Sequence, residues 1–209
     1  MKREVLRLYA VTDRSWLGTE TLAEQTEKAL RGGATFVQLR EKNMEPDALL
    51  REAVEIGRLC RAYGVPFVIN DDVELAVRCG ADGVHVGQED MAAEEARRLL
   101  GPDKIVGVTC KNVEEARIAQ AQGADYIGSG AMFPSTAKPG AQGISFEMLQ
   151  NICAAVEIPV VAIGGISQSN VRKLQGTGIA GIAVVSAIYA QPDIEGATRQ
   201  LYQTVTQIL

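Results

Sequence analysis

Short apolar runs without polar alternation recur along the chain. They are separated by segments in which apolar positions return every three or four residues. The runs cover residues 8–12, 36–39, 67–70, 83–86, 105–108, 126–129, 160–163 and 181–185. Runs of this length and character fit parallel strands covered on both faces. Residues 47–61 and 113–122 show the intervening helical pattern. The first of these sets Leu50, Val54 and Leu59 among Arg51, Glu52, Glu55 and Arg58. Buried strands alternating with amphipathic helices predict consecutive βα units.

An internal echo supports the same organisation. Gly33-Ala34-Thr35-Phe36-Val37 resembles Gly80-Ala81-Asp82-Gly83-Val84 and Gly123-Ala124-Asp125-Tyr126-Ile127, with a weaker copy at Gly178-Ile179-Ala180-Gly181-Ile182. Each copy reads as a helix C-cap glycine, a tight turn and a strand entry. The spacings of 47, 43 and 55 residues hold two βα units each, so the copies mark strands 2, 4, 6 and 8. Eight units in 209 residues predict one α/β domain over 1–209, a compact (β/α)8 TIM barrel. An open doubly wound sheet is the alternative that periodicity alone leaves. The longest non-periodic stretch, 130–143, follows strand 6 and reads as a surface loop or as a lid over a site.

Active sites of such barrels lie at the C-terminal strand ends, and the polar residues of this chain gather there. After strand 2, alternation puts Gln38 and Arg40 on one face, toward the barrel mouth. Arg40 needs an anionic partner, either Glu41 or another carboxylate, or else a phosphate that it grips with Lys42. Asn70-Asp71-Asp72 follows strand 3, and His85-Val86-Gly87-Gln88-Glu89-Asp90 ends strand 4. Asp72 reads as a helix N-cap, and Asp90 as a helix start at Met91 or as one half of a cation site with Asp71. Thr109 offers a hydroxyl after strand 5, and Asn112 reads as an N-cap. The loop 133–139 brings Ser135, Thr136 and the cation of Lys138. Gly165 after strand 7 and Ser186 after strand 8 suit a phosphate cradle of backbone amides. His85, set between Val84 and Val86, reads as a satisfied interior histidine.

Composition narrows the chemistry. A net charge of −5 argues against a general nucleic-acid surface, so any phosphate must be held by local positive charge. No run of about 18 apolar residues predicts a membrane helix, and the N-terminus lacks the apolar core of a secretory signal. Cys60, Cys79, Cys110 and Cys153 are widely spaced, which fits a reducing, cytoplasmic setting and not a zinc site.

Taken in order, Leu8-Tyr9-Ala10-Val11-Thr12-Asp13-Arg14, Gln38 to Lys42, Asn70-Asp71-Asp72, Gly83 to Asp90, Phe133 to Lys138, Ala162 to Ile166 and Val184 to Ile188 resemble the thiamine-phosphate synthase (pyrophosphorylase) family. The resemblance implies a transferase. It would join hydroxymethylpyrimidine diphosphate to a carboxylated thiazole phosphate, with loss of diphosphate and CO2. It implies that Gln38, Leu39, Arg40, Glu41, Lys42, Asn70, Thr109 and Lys138 bind the pyrimidine diphosphate, with Arg40, Lys42, Lys138 and Thr109 catalytic. Asp71 and Asp90 would hold Mg2+. Ser135, Thr136, Ala137, Gly165, Val185 and Ser186 would contact the thiazole phosphate. The expected partners are small phosphorylated substrates, with no nucleic acid and no membrane. Ala137 stands where the family usually has a threonine, Thr109 where a serine is common, and Lys111 where a histidine is common. A thiazole tautomerase shares the barrel but lacks the acidic pair, so Asp71 and Asp90 favour the synthase.

Overall fold

The computed structural model describes residues 1–134 and 142–209. Eight parallel strands close into a barrel in chain order, and the eighth pairs with the first through Leu8↔Ile182, Tyr9↔Ala183 and Ala10↔Val184. Closure settles the choice between a barrel and an open sheet. The strands are β1 (Leu8–Val11), β2 (Phe36–Leu39), β3 (Phe67–Asn70), β4 (Gly83–Val86), β5 (Ile105–Thr109), β6 (Tyr126–Ser129), β7 (Val160–Ile163) and β8 (Gly181–Val184). Each predicted run holds its strand, with shifts of one residue at the ends of the first, fifth and eighth. The helices are α1 (Leu22–Gly32), α2 (Pro46–Ala62), α3 (Val73–Cys79), α4 (Ala93–Leu100), α5 (Val113–Ala121), α6 (Phe146–Ala155), α7 (Ser186–Tyr189) and α8 (Ile194–Ile208). Between β7 and β8 the outer layer holds only the 3-10 turn Val171–Leu174.

Two of the four echoed glycines are the helix C-caps that the pattern required. Gly33, Gly80, Gly123 and Gly178 all take positive φ. Gly33 and Gly80 are left-handed caps of α1 and α3. Gly123 lies one residue past the cap of α5, and Gly178 follows the 3-10 turn instead of a helix. Asp72 and Asn112 cap α3 and α5 by accepting the Leu75 and Glu115 amides. Asp90 does not start a helix: α4 begins at Ala93, and the Asp90 carboxylate accepts the Gly87 amide at 2.8 Å. Among the described residues no helix is long and apolar enough to cross a membrane.

Alternation divides each strand between two layers. Outward residues such as Leu8, Val37, Leu39, Ile69 and Val84 pack under the helices. Inward residues Tyr9, Val11, Phe36, Val68, Tyr126, Val161 and Ala183 fill the barrel, with Leu6 among them. Tyr9, Phe36 and Tyr126 meet edge to face, with centroids 4.6–5.9 Å apart. Glycine on neighbouring strands makes the room. A Cβ at Gly107 would meet the Tyr126 ring at 2.2 Å, and one at Gly128 would meet His85 at 3.1 Å.

His85 occupies this interior as the sequence pattern indicated. Its Nδ1 lies 2.9 Å from the Tyr126 hydroxyl, and its Nε2 lies 2.9 Å from Thr109 Oγ1. Burial pushes the imidazole down to about 4, opposed only weakly by the Asp90 charge. Above about 6.5 the ring is neutral in both folded and unfolded chains. Below that, the unfolded chain takes up a proton that the folded chain refuses until about 4. Stability therefore falls with acid across this window, by up to about 3 kcal/mol. We expect the denaturant midpoint of the native protein to drop more steeply between neutral pH and pH of about 5 than that of His85→Gln. Parallel slopes would contradict the buried neutral imidazole.

Candidate active site

At the C-terminal strand ends the barrel opens into a cavity of about 200 Å³ to which every strand contributes. Its polar lining includes Gln38, Arg40, Asn70, His85, Thr109, Lys111 and Ser186, set against Val11, Val161, Ile163 and Ala183. A wider open groove of about 1030 Å³ runs outside the barrel between α1 and α2 and contains no strand-end residue. Alternation alone accounts for Gln38 and Arg40 in the cavity. The same alternation buries Leu39 in the helix-facing layer, so its side chain points away from the pocket.

The cavity floor is a chain of hydrogen bonds. Gln38 Nε2 donates to the Tyr9 hydroxyl at 2.5 Å, which lies 2.9 Å from the Tyr126 hydroxyl. Tyr126 meets His85, and His85 meets Thr109. Burial pushes both phenols up, so they remain protonated. Neither tyrosine was singled out from the sequence. The signal was available, since Tyr9 and Tyr126 occupy the inward positions of β1 and β6.

The rim carries the charge. Arg40 has Asp13, not Glu41, as its carboxylate, at a loose 3.7 Å. Glu41 is instead drawn into an ion pair with Arg14, which also binds Glu52. Arg14 is thereby fixed by two carboxylates, while among the described residues the Arg40 guanidinium has this one loose pairing. Asp71 stands at the end of β3 in a left-handed conformation, φ 63°, unusual for a residue with a side chain. Its amide donates to the His85 carbonyl at 2.8 Å, and its carboxylate accepts from Asn70 at 2.5 Å. This twist brings its carboxyl against Asp90. Partial loss of water and then the Asp90 carboxylate push the Asp71 carboxyl up to about 6, against the pull of Asn70 and Lys42. Two carboxylates meeting at such a cost fit a hard cation. Mg2+ commonly takes one or two carboxylates and fills its remaining positions with water and phosphate oxygens. Among the described residues no group of three or more acidic, histidine or cysteine side chains is placed to hold a metal ion, so these residues offer this pair and no fuller cage.

On the opposite side Gly165, Val185 and Ser186 all line the cavity. Gly165 has φ 64°, and a Cβ there would meet the Pro134 and Phe133 carbonyl oxygens at 2.4 and 2.5 Å. The strand 6 and strand 7 loops are thus locked together, with the Met132 and Phe133 amides donating to Ile163 and Gly164 at 3.0 Å. Asn170 holds the Gly165 carbonyl at 2.9 Å. Ser135, Thr136, Ala137 and Lys138 lie outside the described residues. Lys111, to which the sequence gave no task, lines the cavity.

Comparison with known proteins agrees with this geometry. The profile of the family described as thiamine monophosphate synthase matches residues 8–188. A thiamine-phosphate synthase of Ruminiclostridium cellulolyticum is 47% identical over 196 residues, covering 94% of this chain and 93% of the relative. Thiamine-phosphate synthase 2 of Streptococcus pneumoniae is 43% identical over 209 residues, covering 100% of both. The solved thiamine phosphate pyrophosphorylase from Pyrococcus furiosus superposes with a TM-score of 0.91 at 39% identity, covering 99% of this chain and 98% of that one. The chain belongs to the thiamine-phosphate synthase family of transferases.

Proposed function

We propose that this protein condenses 4-amino-2-methyl-5-hydroxymethylpyrimidine diphosphate with a carboxylated thiazole phosphate, giving thiamine phosphate, diphosphate and CO2. The observation that carries this is the meeting of Asp71 and Asp90 beside Asn70, which together with Arg40 lines the pocket. One acidic pair and one loosely held arginine at the same opening suit a diphosphate better than a monophosphate.

In this scheme Gln38, Asn70 and Thr109 hold the pyrimidine end, and Arg40 and Lys42 take the diphosphate. Lys138 joins them by family resemblance. Asp71 and Asp90 would hold Mg2+, which when bound neutralises charge on the leaving diphosphate. Charge grows on the leaving group as its bond to the pyrimidine methylene breaks, so cations already fixed there stabilise the transition state more than the ground state. The resulting pyrimidine cation would be quenched by water. Val11, Val161, Ile163 and Ala183 make that part of the cavity apolar. The thiazole nitrogen then captures the cation, and loss of CO2 completes the ring.

A ring-nitrogen nucleophile needs no strong base. His85 accordingly has both nitrogens engaged and stays neutral. Gly165, Val185 and Ser186 are assigned to the thiazole phosphate, with Ser135, Thr136 and Ala137. Four free cysteines support a reducing, cytoplasmic setting.

Incubation with both phosphates and Mg2+, followed by mass detection, is expected to yield thiamine phosphate. Consumption of neither substrate would refute the assignment. Asp71→Ala is expected to lower turnover about 100-fold at saturating substrates while the fold persists. Unchanged Mg2+-dependent turnover in that variant would remove Asp71 from the cation site.

A further inference from the structure

Gln38, Tyr9, Tyr126, His85 and Thr109 come from five different strands and form one unbroken hydrogen-bonded chain. Both ends face the pocket, while the Tyr9 and Tyr126 side chains in the middle are buried. The proposed reaction employs the two ends and gives the two tyrosines no task.

Donor counting leaves such a chain two arrangements. A neutral imidazole has one N–H and one lone pair, and each phenol donates a single proton. With each buried phenol proton used within the chain, directing one link directs the others. In the first arrangement the Gln38 amide donates to Tyr9, Tyr9 to Tyr126, Tyr126 to Nδ1 of His85, and Nε2–H of His85 to Thr109. Gln38 then turns its carbonyl oxygen toward the pocket, and Thr109 keeps its own proton to donate. In the second arrangement every link reverses. Thr109 donates inward, the amide turns over, and Gln38 offers its NH2 group. The structure has the first, with Gln38 Nε2 as the donor to Tyr9. No carboxylate bonds to the His85 ring among the described residues, so nothing in contact with it favours an imidazolium.

We infer that Tyr9, Tyr126 and His85 are positioning residues that fix the hydrogen-bonding polarity of the pocket floor, holding Gln38 as an acceptor and Thr109 as a donor, and that they thereby select a pyrimidine bearing an amino group over its oxo counterpart. This rests on the assignment of the pocket to the pyrimidine substrate. An exocyclic amino group donates to the Gln38 oxygen. A carbonyl in the same place sets oxygen against oxygen, and the discrimination is repulsive as much as attractive. A Gln38 amide free to turn over would accept either, so the fixed chain is what makes the choice. The glycines at 107 and 128 belong to the same device, because a methyl group at either would press on Tyr126 or His85.

The test has two arms. The chain has one histidine, so its imidazole gives a single assignable pair of 15N resonances. At neutral pH the expected spectrum shows a protonated Nε2 and a bare Nδ1. An Nδ1–H tautomer, an imidazolium or an averaged mixture would overturn the inference. The second arm compares the inhibition constant of the 4-oxo pyrimidine diphosphate with the KM of the 4-amino substrate. Tyr9→Phe keeps the ring but cuts the link to Gln38. It is expected to narrow that ratio by roughly fivefold, the worth of one directed hydrogen bond, and to leave the thiazole KM unchanged. An unchanged ratio, or an equal rise in all three constants, would show a merely structural role. If the native protein makes no thiamine phosphate, the proposed function fails, and the imidazole spectrum still decides the polarity of the chain.

Discussion

Closing eight short parallel strands into a ring forces every second side chain into one shared interior, and the remainder of this molecule follows from how that space is filled. There is no free sheet edge to absorb a misfit. Large aromatic rings at Tyr9, Phe36 and Tyr126 need counterparts without side chains, which Gly107 and Gly128 supply. The phenol oxygens and the imidazole so enclosed must find partners, because buried polar groups without them are costly. They find one another and, at the two margins, Gln38 and Thr109. The packed core and the pocket floor are therefore the same set of atoms.

Above that floor the problem is electrostatic. Under the proposed function, an acidic chain must hold anionic ligands with few local cations. Arg14 and Arg40 each neighbour a carboxylate in the sequence, Asp13 and Glu41, yet they pair crosswise and are used differently. Arg14 is gripped by Glu41 and Glu52, whereas among the described residues Arg40 pairs with Asp13 alone, at 3.7 Å. One arginine is spent on structure, and the proposed function gives the other to a ligand. The Asp71–Asp90 pair is the converse case: two like charges are held together, which raises the energy of the site until a proton or a cation arrives.

Much of this was legible in the sequence for specific reasons. Strand alternation puts Gln38 and Arg40 in the pocket, and it equally excludes the Leu39 side chain. The repeated glycine turns mark even-numbered strands because the chain enters each of those strands through a positive φ that glycine adopts freely. The Asp72 and Asn112 caps follow from local side-chain chemistry. Other features depend on the closed barrel. Arg40 takes Asp13 instead of its neighbour Glu41 because strands β1 and β2 run side by side. The left-handed Asp71 and the turn that curls Asp90 back onto Gly87 are set by the β3–β4 contact, which no local pattern announces. The Tyr9–Tyr126 link joins residues 117 apart in the chain.

Calorimetry on inorganic diphosphate, with and without Mg2+, tests most directly whether the acidic pair and the cations serve one ligand. Comparison of the native protein with Asp71→Asn cancels the association of metal and diphosphate in free solution. In the native protein each ligand is expected to tighten the other by roughly tenfold beyond that background, reciprocally as linkage requires, and the gain is expected to vanish in the variant. Equal coupling in both proteins, or diphosphate binding that ignores Mg2+, would contradict a shared site at the strand ends.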